Sequence, residues 1–166
     1  MTSARRRARA SPEPDPITDA VRFLARGERS ASQIERYLIG RGHAKLKVRS
    51  ALHTMRRLGY VDDKKAAVRV ARARLARRPM GTEALIAELT ARGFPADAID
   101  GAVRDAYEGA TEQAIAARLL EALPPRSPDA VREGRRRAAL LKRRGFSEDV
   151  IETLVADKVF HANPDR

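Results

Sequence analysis

Arg41-Gly42-His43, Arg92-Gly93-Phe94 and Arg144-Gly145-Phe146 are near copies of one tripeptide, and their glycines stand 51 and 52 residues apart. Around each glycine the same apolar register returns. Leu38, Leu89 and Leu141 lie four residues before it, Val48, Ile99 and Ile151 six after it, and Leu52, Val103 and Val155 ten after it. Three matched registers at one period mark an internal repeat. A glycine in this setting ends a helix, because the residue past a helix terminus often takes a positive φ that a residue without Cβ adopts without strain. Gly27, Gly59 and Gly109 supply the same stop signal elsewhere.

Between the stops, apolar residues recur at helical spacing, as in Val48, Leu52, Met55 and Leu58, and no segment alternates with period two for the length of a strand. The fold class is therefore all-α, with three tandem three-helix repeats whose neighbours pack in series to give an elongated, curved body. Helices are expected near 17–26, 32–41, 46–58, 63–78, 82–92, 97–108, 111–123, 128–144 and 147–160. Ser32 with Glu35 reads as a capping box, Ser127 precedes a first-turn Pro128, and Ser147 precedes the acidic pair Glu148 and Asp149. The expected organisation is a disordered basic arm at 1–16, then repeats at 17–61, 62–109 and 110–166, the last with a short tail.

Charge narrows the partner. The net charge is +12, and four arginines against two acids leave the arm at only +2, so most of the basicity belongs to the folded part. Such a surface attracts polyanions through phosphate neutralisation and counterion release. Aromatic residues make up 4% and Trp is absent, so rows of stacking platforms for bases are not expected, and a nucleic acid would be held by its backbone. With no Cys there is no disulfide, thiolate metal site or cysteine nucleophile, and a reducing cytoplasm is the expected location. No apolar run reaches the roughly 18 residues of a membrane span.

The strongest candidate surface is the first helix of the middle repeat, where Lys65, Arg69 and Arg72 share a face beside an apolar stripe of Val68, Ala71 and Leu75, with Arg74, Arg77 and Arg78 following and no acid between Lys64 and Arg78. Unneutralised like charges on one stripe repel, which favours a binding role over mere solvation. A second stripe, Arg132, Arg136 and Arg143, lies on the long helix of the third repeat; a third and weaker set is Lys45, Lys47, Arg49, Arg56 and Arg57. Asp62 and Asp63 read as N-caps of the helix that follows them. Phe94, Phe146 and Tyr60 read as packing against helix ends, with His43 in the first repeat less well buried. His53 and Arg56 lack the partners of a strand-transfer site, and no catalytic residue, metal or cofactor is expected.

Ala20-Val21-Arg22-Phe23-Leu24-Ala25-Arg26 followed by Ser30, then Leu58-Gly59-Tyr60-Val61-Asp62-Asp63, then Gly81 ahead of Ile86-Ala87-Glu88-Leu89, and the terminal Arg144-Gly145-Phe146 together resemble the RecX family in order and spacing, from about residue 20 to 160. The chain departs from that pattern where Lys64-Lys65-Ala66-Ala67 replaces an aromatic residue followed by Ala. The resemblance implies a monomeric cytoplasmic regulator, acting in DNA repair, recombination and the SOS response. It would lie in the groove of the RecA filament on DNA and inhibit its recombinase, ATPase and coprotease activities. Single- or double-stranded DNA backbone and RecA are then the partners, and membrane is not. Two further readings stay open: a helix-turn-helix-like DNA binder, and a basic helical-repeat scaffold for an acidic protein.

Overall fold

The computed structural model describes residues 15–161, with side chains described to residue 155. Among the described residues there are nine helices and no strand: α1 (Pro16–Leu24), α2 (Ala31–Gly40), α3 (Lys45–Arg57), α4 (Asp63–Arg77), α5 (Thr82–Ala91), α6 (Ala96–Ala106), α7 (Glu112–Glu121), α8 (Ala130–Arg143) and α9 (Glu148–His161). Each successive set of three forms one repeat. The basic arm expected at 1–16 lies outside the described residues up to position 14, whereas Asp15 caps α1 and Pro16 opens it.

The turn after the second helix of each repeat is built the same way three times. The amides of His43, Phe94 and Phe146 donate to the carbonyls of Leu38, Leu89 and Leu141, each at 3.2 Å. Gly42, Gly93 and Gly145 between them have φ of +90°, +76° and +71°. This pairing satisfies carbonyls that the helix end would leave orphaned. The three leucines are fully buried, and each such side chain stabilises the fold by about 2 kcal/mol through removal from water.

Three separate cores follow. Ala20, Ile34, Leu38, Val48, Leu52, Met55 and Val61 form the first. In the second, α4 and α6 meet through Ala66, Ala67, Val70 and Ala71 against Ala98, Ile99 and Ala102, with Leu85, Leu89 and Phe94 beside them. Leu120, Leu141 and Phe146 form the third, with Ile151 and Leu154 packed on it.

Several local expectations are corrected. The capping box of α2 is Ser30 with Gln33, not Ser32 with Glu35. Pro128 lies ahead of α8, because Asp129 caps that helix by accepting from Val131 and Arg132. Tyr60 is exposed, unlike the buried Phe94 and Phe146.

His43 is also buried, because its Nε2 lies 2.9 Å from Oδ2 of Asp19, a buried carboxylate on α1 that also accepts from Nε of Arg41 at 2.9 Å. The His43 hydrogen bond above all, with Arg41 beside it, holds the pKa of Asp19 below its ordinary 3.8. The stability this supplies is complete above 3.8 and is lost as pH falls through the lower folded value. Asp19→Asn is expected to be less stable at neutral pH and to lose stability less steeply on acidification below about pH 4, as read by denaturant midpoints along a pH series. An acid limb as steep as that of the parent would refute this.

The repeats are joined by a few polar bonds that recur in kind. At the first joint, the hydroxyl of Ser30 donates to the carbonyl of Arg92 at 2.6 Å, and the amide of Ala31 donates to Oδ1 of Asp63 at 2.8 Å. At the second, the amide of Gly81 donates to the carbonyl of Arg144 at 2.8 Å, and the amide of Thr82 donates to Oε1 of Glu112 at 3.0 Å. In both joints the first residue of the incoming repeat's first helix, Asp63 or Glu112, accepts from the first amide of the outgoing repeat's second helix. Asp63 therefore does not cap α4 with its own side chain, as expected above; Asp62 does, accepting from the amide of Lys65.

Candidate functional site

The apolar side of α4 is set by Ala66, Ala67, Val70 and Ala71, with Val68 and Leu75 only partly buried, so the stripe expected from Val68, Ala71 and Leu75 is rotated. The cations are not unneutralised either. Arg69 forms a two-pronged bond with Glu28, Nε to Oε1 at 2.5 Å and Nη2 to Oε2 at 2.9 Å. Arg72 reaches Asp105 at 2.9 Å, Lys64 reaches Asp97 at 3.2 Å, Lys65 reaches Asp62 at 3.5 Å, and Arg74 pairs with Glu88. On the second stripe, Arg136 and Arg137 both bind the buried Glu133, whose pKa they hold well below the usual carboxylate range.

Arg77, Arg78, Arg132 and Arg143 differ, since among the described residues their side chains have no ion-pair or hydrogen-bond partner. The structure brings two of these together from separate helices. Arg144 donates from Nη1 to the carbonyl of Pro79 at 2.8 Å, which sets the end of α8, with Arg143, against the end of α4, with Arg78. Burial, and then the charges of Arg78 and Arg143, lower the pKa of Arg144. Three guanidinium groups thus share the second joint. Arg132 sits at the other end of α8, in its first turn, and does not join them.

Arg77 faces the first joint. There a cleft of about 270 Å³ is lined by Arg69, Arg74 and Arg77 of α4, by Glu28 and Arg29 from the loop after α1, and by Arg92 from the α5–α6 turn. Glu28 takes Arg69, while Glu88 takes Arg74 and Arg92. Arg29 lies 4.7 Å over the ring of Phe23, which stacks on Tyr37 at 4.1 Å, and its buried Nε has no hydrogen-bond partner. Arg29 carries no signal in the sequence, and Arg92 and Arg144 stand out there as members of the repeated turn rather than as binding residues. The repeated Arg-Gly turn was the available signal for the last two, since those arginines flank the turns that make the joints.

Among the described residues no group of three His, Asp or Glu could hold a metal ion, and no helix is long and apolar enough to cross a membrane. The arrangement is suited to gripping oxyanions, because clustered guanidinium groups donate several charge-assisted hydrogen bonds in fixed geometry.

No protein-family model matches the chain. It is 34% identical over 148 residues to the regulatory protein RecX of Chromohalobacter salexigens, covering 87% of this chain and 93% of that one. Against the regulatory protein RecX of Treponema pallidum it is 32% identical over 139 residues, covering 82% and 81%. The crystal structure of RecX from Lactobacillus salivarius superposes with a TM-score of 0.74 at 19% identity, over 87% of this chain and 95% of that one. Fold and relatives together define a regulatory protein built from tandem three-helix repeats. The chain belongs to the RecX family.

Proposed function

We propose that this chain binds the RecA nucleoprotein filament and lowers its recombinase, ATPase and coprotease activities, with consequences for DNA repair and the SOS response. Family membership supports RecA as the partner. The observation that carries the physical side is the group of Arg78, Arg143 and Arg144 at the second joint, which has no carboxylate partner among the described residues. A filament of protein on DNA offers phosphates and carboxylates in register, and guanidinium groups without internal partners are free to take them up.

On this reading Arg77, Arg78, Arg132 and Arg143 make the direct contacts. Lys65, Arg69, Arg72, Arg74 and Arg136 border them and contribute field while sharing their charge with internal acids. Purified protein added to RecA on single-stranded DNA with ATP is expected to suppress hydrolysis and strand exchange as its concentration rises. Unchanged rates across a wide concentration range would sink the proposal.

A further inference from the structure

Helix α3 carries the most one-sided charge among the described residues. It contains Lys45, Lys47, Arg49, Arg56 and Arg57 and no acid. Lys47 lies in the groove between α3 and the start of α1. Lys45, Arg49, Arg56 and Arg57 have no ion-pair partner among the described residues, in contrast to the cations of α4, which are almost all paired. Arg56 does border a shallow groove with Asp62, Asp63 and Asp97, but those acids already hold Lys65, the Ala31 amide and Lys64.

Of the four cations without an ion-pair partner, Arg49 and Arg57 share the outward face. Val48, Ala51, Leu52 and Met55 are buried against repeat 1, which turns Leu46, Arg49, His53 and Arg57 outward at i, i+3, i+7 and i+11. All four are exposed, Leu46 at 79%. The stripe runs about 16 Å along the helix at 1.5 Å per residue, and a helix about 10–12 Å across matches the roughly 12 Å width of a duplex major groove. Lys45 and Arg56, both exposed, lie together along one edge of the stripe.

We infer that α3 is a duplex-binding helix, laid in or across the major groove and held by phosphate contacts from Arg49, Arg57 and their flanking cations. Charge complementarity chooses the occupant: Lys45, Arg49, Arg56 and Arg57, without an ion-pair partner among the described residues on a helix with no acid, suit a uniform array of phosphates. No base-reading pair is assigned, so binding is salt-sensitive and indifferent to sequence. This surface is separate from the arginines at the joints and does not depend on RecA being the partner.

The test is fluorescence anisotropy with a labelled random-sequence duplex of about 30 base pairs, titrated at several salt concentrations, because each phosphate contact contributes about 0.9 to the log–log salt slope. Arg49→Glu with Arg57→Glu is expected to bind at least tenfold more weakly, with the slope reduced by about 2. The matched pair Arg104→Glu with Arg118→Glu removes the same charge from exposed sites on α6 and α7 and is expected to lose far less. Arg49→Ala with Arg57→Ala, which leaves the buried face of α3 untouched, guards against a folding defect and is expected to show an intermediate loss.

Equal losses in the α3 and control pairs would overturn the inference. So would tighter binding to a single strand of the same length, or an unbound wild-type protein. The two readings fail separately: a wild-type protein that leaves RecA hydrolysis unchanged while the α3 pair loses duplex affinity removes the RecA proposal alone.

Discussion

Gly145→Ala is expected to unseat the third repeat from the second and to lower stability by about 2–5 kcal/mol, reaching the top of the range for a single substitution. Two causes add. Gly145 has φ of +71°, where an L-residue costs about 1–2 kcal/mol. A Cβ there would also overlap the Cβ and backbone of Ala84 at the start of α5, and relieving an overpacked contact costs about 1–3 kcal/mol more.

Gly81 separates the two causes. Its φ is −83°, so Ala carries no backbone strain there, yet its Cβ would collide with the carbonyl of Gly145. Gly81→Ala should therefore show the steric loss alone and also weaken the bond from the Gly81 amide to Arg144. Gly101→Ala is the control. It sits inside α6 with nothing within 4 Å of a new Cβ, and is expected to gain up to about 1 kcal/mol from helix propensity. Urea unfolding read by circular dichroism checks all three. A Gly145→Ala midpoint equal to that of the parent would refute the close-packed joint.

Arg78→Glu with Arg143→Glu is expected to raise by at least about tenfold the protein concentration needed to inhibit RecA hydrolysis, since a charge-assisted contact is worth about 1.5–3 kcal/mol and two are removed. Stability should hold or rise, because Arg144 loses two like-charged neighbours. That combination distinguishes a binding surface from a structural one. Reversing Arg69 and Arg72 is a poorer probe: it would set glutamates against Glu28 and Asp105 and damage the fold itself. Undiminished inhibition by the Arg78, Arg143 variant would refute the assignment of the joint arginines.

Helix number, order and the repeat were legible in the sequence because each rests on local chemistry: glycine at positive φ and apolar spacing. Some misreadings are local, as where Asp129 rather than Ser127 caps α8, but most lie where a distant residue intervenes. Ser30 rather than Ser32 caps α2, and its hydroxyl also reaches Arg92 in the next repeat. His43 is the least buried of the three turn residues, as expected, but what the sequence hides is its partner Asp19, on another helix. The stripe on α4 is rotated because alanines let α6 approach closely, and small residues register weakly on a hydrophobicity pattern. The neutralisation of that helix was invisible for the same reason, as the acids come from the α1–α2 loop, α5 and α6.

Asp63 and Glu112 do one job at two places, each reaching from the start of one unit to the first amide of a helix in the unit before it. Each unit thereby keeps an apolar interior of its own, and the seams are made where a backbone amide of one unit meets a carboxylate of the next.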